Sequence, residues 1–268
     1  MVHIIGENLQ RVNSQAIVCA RAFCYSMRMR ALLDFILPPR CRLCDASTTG
    51  EPTPWVCQQC WLAIDYVVPP LCVQCGQPFA APPEGIASPT HRCGACITEP
   101  PPYTQARAVG LYQGPLRDII HAMKYQGVYG LVRPLAALLQ AQFAWHWGSA
   151  APDALVPIPL HRSKLRQREF DQALALASYV SAHTGVPLWA DVLVRHRATV
   201  SQGGLTAVQR RHNVRGAFHL STPHTCAGKA VLLIDDVYTT GATIRECAHL
   251  LQQAGAHWVG VYTLARVG

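Results

Sequence analysis

The sequence predicts an α/β fold, a mostly parallel sheet flanked by helices, preceded by a small cysteine-rich module held together by metal. Three observations carry this. Between residues 103 and 268, short apolar runs alternate with stretches of helical periodicity, the pattern of strands joined by crossover helices. Between residues 41 and 96, eight cysteines fall in four Cys-x-x-Cys pairs. One apolar run, VLLIDDVYTTGAT at 231–243, ends in paired acids and a turn of threonines and glycine, and ligands in parallel sheets bind outside the carboxyl ends of the strands.

At 268 residues, half of them apolar and 14% charged, the chain can bury the core of one ordinary domain plus a smaller unit. No apolar run approaches the ~20 residues that cross a bilayer, so no membrane insertion is expected. Residues 1–30 lack both a basic start before an apolar block and a small-residue cleavage site. They read as an N-terminal extension, and a cytoplasmic location is expected. The formal charge of +8 points to a polyanionic ligand, a phosphorylated small molecule or nucleic acid, although surplus arginine also solubilises a surface.

The cysteine-rich module spans residues 31–102. Its pairs are Cys41/Cys44, Cys57/Cys60, Cys72/Cys75 and Cys93/Cys96. Two thiolates separated by two residues reach one metal together, and two such pairs complete the tetrahedral set of structural zinc. Neighbouring pairs are separated by 12, 11 and 17 residues, which leaves sequential and interleaved pairing open, and one or two zinc ions. The prolines of LPPRC, EPTPW, VPPLC and QPFAAPPEG favour loops, so metal binding supplies much of the folding energy here. TEPPPY at 98–103 marks the boundary.

Beyond it, ARAVGLYQG reads as a strand, GPLRDIIHAMKY and GLVRPLAALLQAQFAWHW as helices, and DALVPIPL as a buried strand. Helical spacing then runs from Ser163 to His183. A polar, arginine-rich segment at 195–216, the strand VLLID, a helix over 243–254 and the strand WVGVYTLA complete residues 103–268.

The stretch VLLIDDVYTTGAT sits at the binding edge of this sheet. Gly241 lets backbone approach a ligand, and the following helix start offers unpaired N–H groups to phosphate. Asp235 and Asp236 repel phosphate, so they hold neutral hydroxyls or a ligand-borne magnesium ion. A sugar phosphate fits both halves. The chain has no GxxxxGK[ST] loop and no GxGxxG fingerprint, which argues against a P-loop nucleotidase or a dinucleotide enzyme.

That stretch resembles the ribose-phosphate signature of type I phosphoribosyltransferases. The layout from Cys41 onward resembles the ComF family of competence-associated proteins, with HAMKYQG at 121–127, VPIPLHRSKLRQREFDQA at 156–173 and RHRATVSQGGLTAVQRRHNVRGAF at 195–218 in the same order. The resemblance implies the type I phosphoribosyltransferase fold, phosphoribosyl pyrophosphate (PRPP) with magnesium as ligand, and an N-terminal double zinc ribbon. By position, Asp235 and Asp236 match the acids that hold ribose hydroxyls, and Thr239, Thr240, Gly241, Ala242 and Thr243 the 5′-phosphate loop. Val156, Pro157, Ile158, Pro159 and Leu160 match the pyrophosphate loop, where Arg162, His161, Lys164, Arg166 and Arg168 add positive charge. Arg195, Arg197, Gln202 and Arg210 are the candidate catalytic residues, on a segment that Gly203 and Gly204 let close as a lid. Where purine enzymes of this kind begin the phosphate loop with an Asp able to act as base, this chain has Thr239, as orotate-type enzymes do.

Two functions follow from the resemblance. One is transfer of phosphoribose from PRPP to a nitrogen acceptor. The other is a competence factor with a regulatory or vestigial PRPP site, contacting single-stranded DNA or other competence proteins. Trp55, Trp61, Tyr66 and Phe79 are its candidate base-stacking residues, although regular basic interleaving is absent, with only Arg40, Arg42 and Arg92 in the module.

Overall fold

The computed structural model describes residues 38–51, 53–79, 91–168, 170–199, 206–221 and 223–268. The reading of residues 1–30 as an extension, and those of Gln202, Gly203 and Gly204, lie outside the described residues.

The cysteine-rich segment forms two knuckles of one design. The first pair of each sits on a turn closed by an isolated antiparallel bridge, Arg40 to Ser47 and Leu71 to Pro78. The second pair opens a one-turn helix. Cys57 precedes α1 (Gln58–Leu62), which contains Cys60, and Cys93 precedes α2 (Gly94–Thr98), which contains Cys96.

The main sheet is built from β1 (Gln105–Leu111), β2 (Ala154–Pro157), β5 (Ala230–Tyr238) and β6 (Trp258–Arg266). Their order is β1-β6-β5-β2 and every pairing is parallel. A separate antiparallel pair joins β3 (Leu193–Arg195) to β4 (Phe218–Leu220). The strands read as unbroken apolar runs because both faces of the sheet are covered.

Alternation along β5 divides the core. Leu232 and Ile234 point to one face, where they meet α3 (Gly114–Tyr125), α4 (Val132–Trp147) and α6 (Gln172–Thr184) through Leu116, Leu135 and Leu176. Val231 and Leu233 point to the other, where α8 (Ala242–Gln253) and the β3–β4 pair supply Ile244, Leu251, Leu193 and Phe218. β1 is an edge strand, and the chain leaving the first knuckle covers it. Val67 N–H donates to the Val109 carbonyl at 3.0 Å, and Leu111 N–H to the Asp65 carbonyl at 2.8 Å. Trp61 and Ile64 there enter the same core as Leu116. No helix among the described residues is long and apolar enough to cross a membrane.

Two segments differ from expectation. The helical stretch 163–183 is two helices, α5 (Arg162–Arg168) and α6. Asp171 makes the break, because its carboxylate caps α6 by accepting from Leu174 N–H at 3.0 Å. The arginine-rich segment 195–216, read as a polar lid, contains the end of β3 and a helix, α7 (Ala207–Val214), opened by a capping box between Thr206 and Gln209.

Candidate functional site

The eight cysteines gather as Cys41, Cys44, Cys57 and Cys60 in one cluster and Cys72, Cys75, Cys93 and Cys96 in the other, with all four sulfurs of each within 4.8 Å of one another. The pairing is therefore sequential. Measured gaps are 3.8 Å for Cys41–Cys60, 3.6 Å for Cys44–Cys57 and 3.6 Å for Cys75–Cys93. Four sulfurs placed tetrahedrally at ~2.3 Å from zinc lie ~3.8 Å apart, so the clusters fit two structural zinc ions. The surrounding backbone favours thiolate: Cys75 and Cys93 N–H groups point at the Cys72 sulfur at 3.5 and 3.3 Å. Burial opposes this charge, but backbone hydrogen bonds outweigh it at Cys72 and Cys41 and bring them to about 7 and about 6, whereas at Cys57, Cys60, Cys75 and Cys96 burial prevails and holds the thiols up.

The aromatic residues of the knuckles are committed to packing. Trp61 is 5% exposed and its indole N–H donates to Thr53 Oγ1 at 3.3 Å. A Cβ on Gly130 would fall 1.9 Å from the Trp55 ring, so Trp55 lies flat on that glycine. Tyr66 packs beside β1, where burial alone pushes its hydroxyl up to about 12. Phe79 packs on the second cluster and edge-on to His91. Trp61 is thus closed to a stacked base, while Trp55, Tyr66 and Phe79 are half-buried.

A cleft of about 580 Å³ opens at the carboxyl ends of β2 and β5. Asp235, Asp236, Thr239, Gly241, Ala242 and Thr243 line one wall, and Ile158, Pro159 and Leu160 another. Arg195, Arg210, Lys164 and Arg168 face in from β3, α7 and α5. Val156 and Pro157 lie within β2, buried behind the cleft, and Arg162 is exposed outside it. Arg197 is also outside, donating to the carbonyls of Asn213 and Arg215. Thr240 stands behind the turn with its hydroxyl oxygen buried and unpartnered.

The turn owes its shape to Gly241. Its φ is +72°, and a Cβ there would meet the Tyr238 hydroxyl at 2.5 Å, so both conformation and space require glycine.

The two acids are not equivalent. Lys124, near the end of α3, donates to Asp236 Oδ1 at 2.7 Å, and the two side chains are only 12% and 13% exposed. Burial disfavours the lysine charge, yet the Asp236 carboxylate outweighs it and holds the Lys124 pKa above its ordinary value. Asp235 forms no ion pair among the described residues, although the charge of Lys124 also reaches it. Burial first, and then the charge of Asp236, push its carboxyl up to about 8. On the opposite wall, burial and then the charges of Arg195, Arg168 and Lys124 hold Lys164 below the usual lysine value. A cluster of cations that depress one another's charge is built to receive an anion.

The double zinc ribbon domain family matches residues 32–97, and the phosphoribosyl transferase domain family matches residues 171–268. The DNA utilization protein YhgH of Salmonella typhimurium is 33% identical over 214 residues, covering 79% of this chain and 90% of that one. Competence protein F of Haemophilus influenzae is 31% identical over 180 residues, 66% of this chain and 79% of that one. The chain belongs to the ComF family. Across the family, similarity extends to competence protein ComFC of Bacillus subtilis, 24% identical over 242 residues, 84% of this chain and 94% of that one. With it come the family's competence and DNA-utilization relatives and its two-part plan of zinc ribbons and phosphoribosyltransferase domain.

Sequence reasoning quoted the ComF stretch HAMKYQG without giving Lys124 a role. One signal was available: the chain has three lysines against twenty arginines, and two of the three, Lys124 and Lys164, line the cleft. It also gave no role to Asp171, whose second carboxylate oxygen accepts from Leu160 N–H at 3.0 Å and ties the Ile158–Leu160 loop to α6. Tyr112, Tyr125 and Gln167 complete the rim and had no distinguishing pattern.

Proposed function

We propose that the cleft binds PRPP with magnesium and transfers its phosphoribosyl group to a nitrogen acceptor. The observation that carries the reading is the juxtaposition, in one cleft, of two unlike carboxyls at the end of β5 with a glycine turn and with Lys164, Arg168, Arg195 and Arg210. On this reading Asp236, ionised against Lys124, accepts from the ribose diol. The turn 239–241 and the first amides of α8 take the 5′-phosphate. Lys164, Arg168, Arg195 and Arg210 face the pyrophosphate, which their charges stabilise as it departs, with the Ile158–Leu160 loop beside it.

The oxygen donors of Asp235 and Asp236 suit a hard cation, and magnesium would supply charge neutralisation for the diphosphate. The acceptor nitrogen forms its bond to the anomeric carbon as the bond to pyrophosphate breaks and its electron pair leaves with that group. Thr239 cannot take the acceptor proton as a carboxylate would, so the proton passes to the departing pyrophosphate. Residues 31–102 serve as a structural module and 103–268 carry the ligand, within a reducing cytoplasm that keeps the thiols free.

The test is calorimetric titration of PRPP with magnesium into wild type and Asp235→Asn/Asp236→Asn. Binding by wild type alone is expected, and absence of binding by folded, zinc-loaded wild type refutes the reading. Pyrophosphate release with candidate nitrogen bases then measures transfer. The names of the relatives favour a second reading, in which the bound sugar phosphate regulates a role in DNA use. In that case PRPP binds without turnover, and the protein retains single-stranded oligonucleotides in a salt-sensitive manner.

A further inference from the structure

The second cysteine cluster is wired to the underside of the phosphate turn. Arg266 ends β6 and is 4% exposed. It donates to the Cys75 carbonyl and to the side-chain oxygen of Gln77, both in the second knuckle. Arg266 is also the register partner of Tyr238 on β5, and its guanidinium lies 5.1 Å from the centre of the Tyr238 ring. The Tyr238 hydroxyl meets the Tyr103 hydroxyl at 2.8 Å and supports Gly241 from below. Tyr103 is held by the same knuckle, since Gln74, inside the Cys72/Cys75 pair, donates to its carbonyl at 3.2 Å. Both partners that fix the Tyr238 ring are therefore anchored between Cys72 and Gln77.

A separate contact runs above the turn. Glu99, which follows α2, accepts through its carbonyl from Arg245 at 3.0 Å, and its carboxylate lies 3.7 Å from Arg245 and 3.6 Å from Arg211. Arg245 is in the first turn of α8, and Arg211 is on α7 beside Arg210, which lines the cleft.

We infer that the second metal knuckle holds the phosphate turn in its binding shape through Arg266, Tyr103 and Tyr238, making these three positioning residues for a phosphate monoester. The inference rests on the reading of residues 239–243 as a phosphate site. If the knuckle opens, the Cys75 and Gln77 acceptors move away and a buried guanidinium loses its partners, a state a protein does not tolerate without rearrangement. Tyr238 then loses its ceiling and Gly241 its support. Zinc occupancy and phosphate affinity are thereby coupled across a chain of direct contacts.

The experiment is calorimetric titration of ribose 5-phosphate into full-length wild type, Cys93→Ser and Tyr238→Phe, with zinc content and melting temperature measured on each. Cys93→Ser should retain the zinc of the first cluster, lose that of the second, and bind about tenfold more weakly. Tyr238→Phe removes one hydroxyl and no zinc ligand; it should keep both zinc ions and bind about threefold more weakly. Wild-type affinity in Tyr238→Phe, or in a folded Cys93→Ser, overturns the coupling. If Cys93→Ser does not fold, Tyr238→Phe decides alone. Failure of wild type to bind ribose 5-phosphate overturns the phosphate site and the coupling with it, so the two failures are distinct.

Discussion

Replacing Lys124 with methionine should destabilise the protein strongly, and more so at alkaline than at acidic pH. The ion pair to Asp236 is 2.7 Å long, between side chains 12% and 13% exposed. At an effective dielectric of about 20, the attraction at that distance is about 6 kcal/mol. Both ions gave up water to form the pair, and breaking a buried pair by removing one partner costs about 3–5 kcal/mol. The pair borders an open cleft where water reaches the orphaned carboxylate, so the low end applies, about 3 kcal/mol. For a chain of this size that is a fall in melting temperature of roughly 6–12 °C.

The sign of the pH dependence follows from the two groups. Lys124 has a folded pKa above its ordinary value, so its contribution is complete through the neutral range and is lost only as pH rises through that folded value. Asp235, already pushed up to about 8, rises further once the lysine charge is gone. Between the ordinary carboxylate pKa and about 8 the folded state of both proteins holds a proton that the unfolded state has released, so both lose stability as pH rises; the extra loss in the variant opens near pH 8 and above, where Asp235 of wild type has ionised and that of the variant has not. Scanning calorimetry of wild type, Lys124→Met, Asp236→Asn and the double variant, from about pH 5.5 to about pH 8.5, reads both effects. A Lys124→Met melting temperature unchanged across that range, or a coupling energy below about 0.5 kcal/mol in the double-mutant cycle, refutes the argument.

Gly241→Ala should destabilise by about 1–2 kcal/mol from the left-handed backbone alone, with further loss from the clash on Tyr238; urea denaturation measures the first, and ribose 5-phosphate titration should show binding lost. Asp171→Ala removes the cap of α6 and the acceptor for Leu160 N–H, costing about 1–2 kcal/mol, and should weaken inorganic pyrophosphate binding while leaving ribose 5-phosphate unaffected. Because Asp235 carries a proton below about pH 8, binding of magnesium with PRPP should release protons near neutrality and cease to do so at higher pH; titrations in buffers of differing ionisation heat count them, and equal heats at neutral pH would contradict the assignment.

How much of this could be read from the chain depended on whether the relevant neighbours are close in sequence. The buried strands were legible because a strand covered on both faces needs no polar alternation, and the runs ALVP and AVLLI show none. The break between α5 and α6 was not, because Leu165 keeps helical spacing while standing 39% exposed. Periodicity cannot reveal that Asp171 prefers the cap position. Helix α7 was hidden for a different reason: its middle, Gln209 to Asn213, is polar, and the surface its buried Val214 packs beside, along with the Glu99 contact, comes from elements distant in the chain.

The site divides in the same way. Asp235, Asp236 and the turn through Thr243 are contiguous, so their composition alone suggested a sugar phosphate. Lys124 stands 112 residues before Asp236, and only the packing of α3 on β1, combined with the crossing of β1 to β6 and β5, brings them together. Yet this distant lysine is what makes the adjacent acids differ. It pairs with Asp236 alone, while Asp235, which forms no ion pair among the described residues, is pushed up by burial and then by the charge of Asp236. The facing cations work against one another across the same cleft, as the lowered Lys164 shows. On the proposed reading the arrival of a polyanion with a divalent cation would relieve both strains, since the anion would screen the cations and the metal would displace the proton. The features that cost the protein stability are thus the ones that would supply affinity for a charged sugar phosphate, and neither an acidic pair alone nor a basic patch alone would supply both.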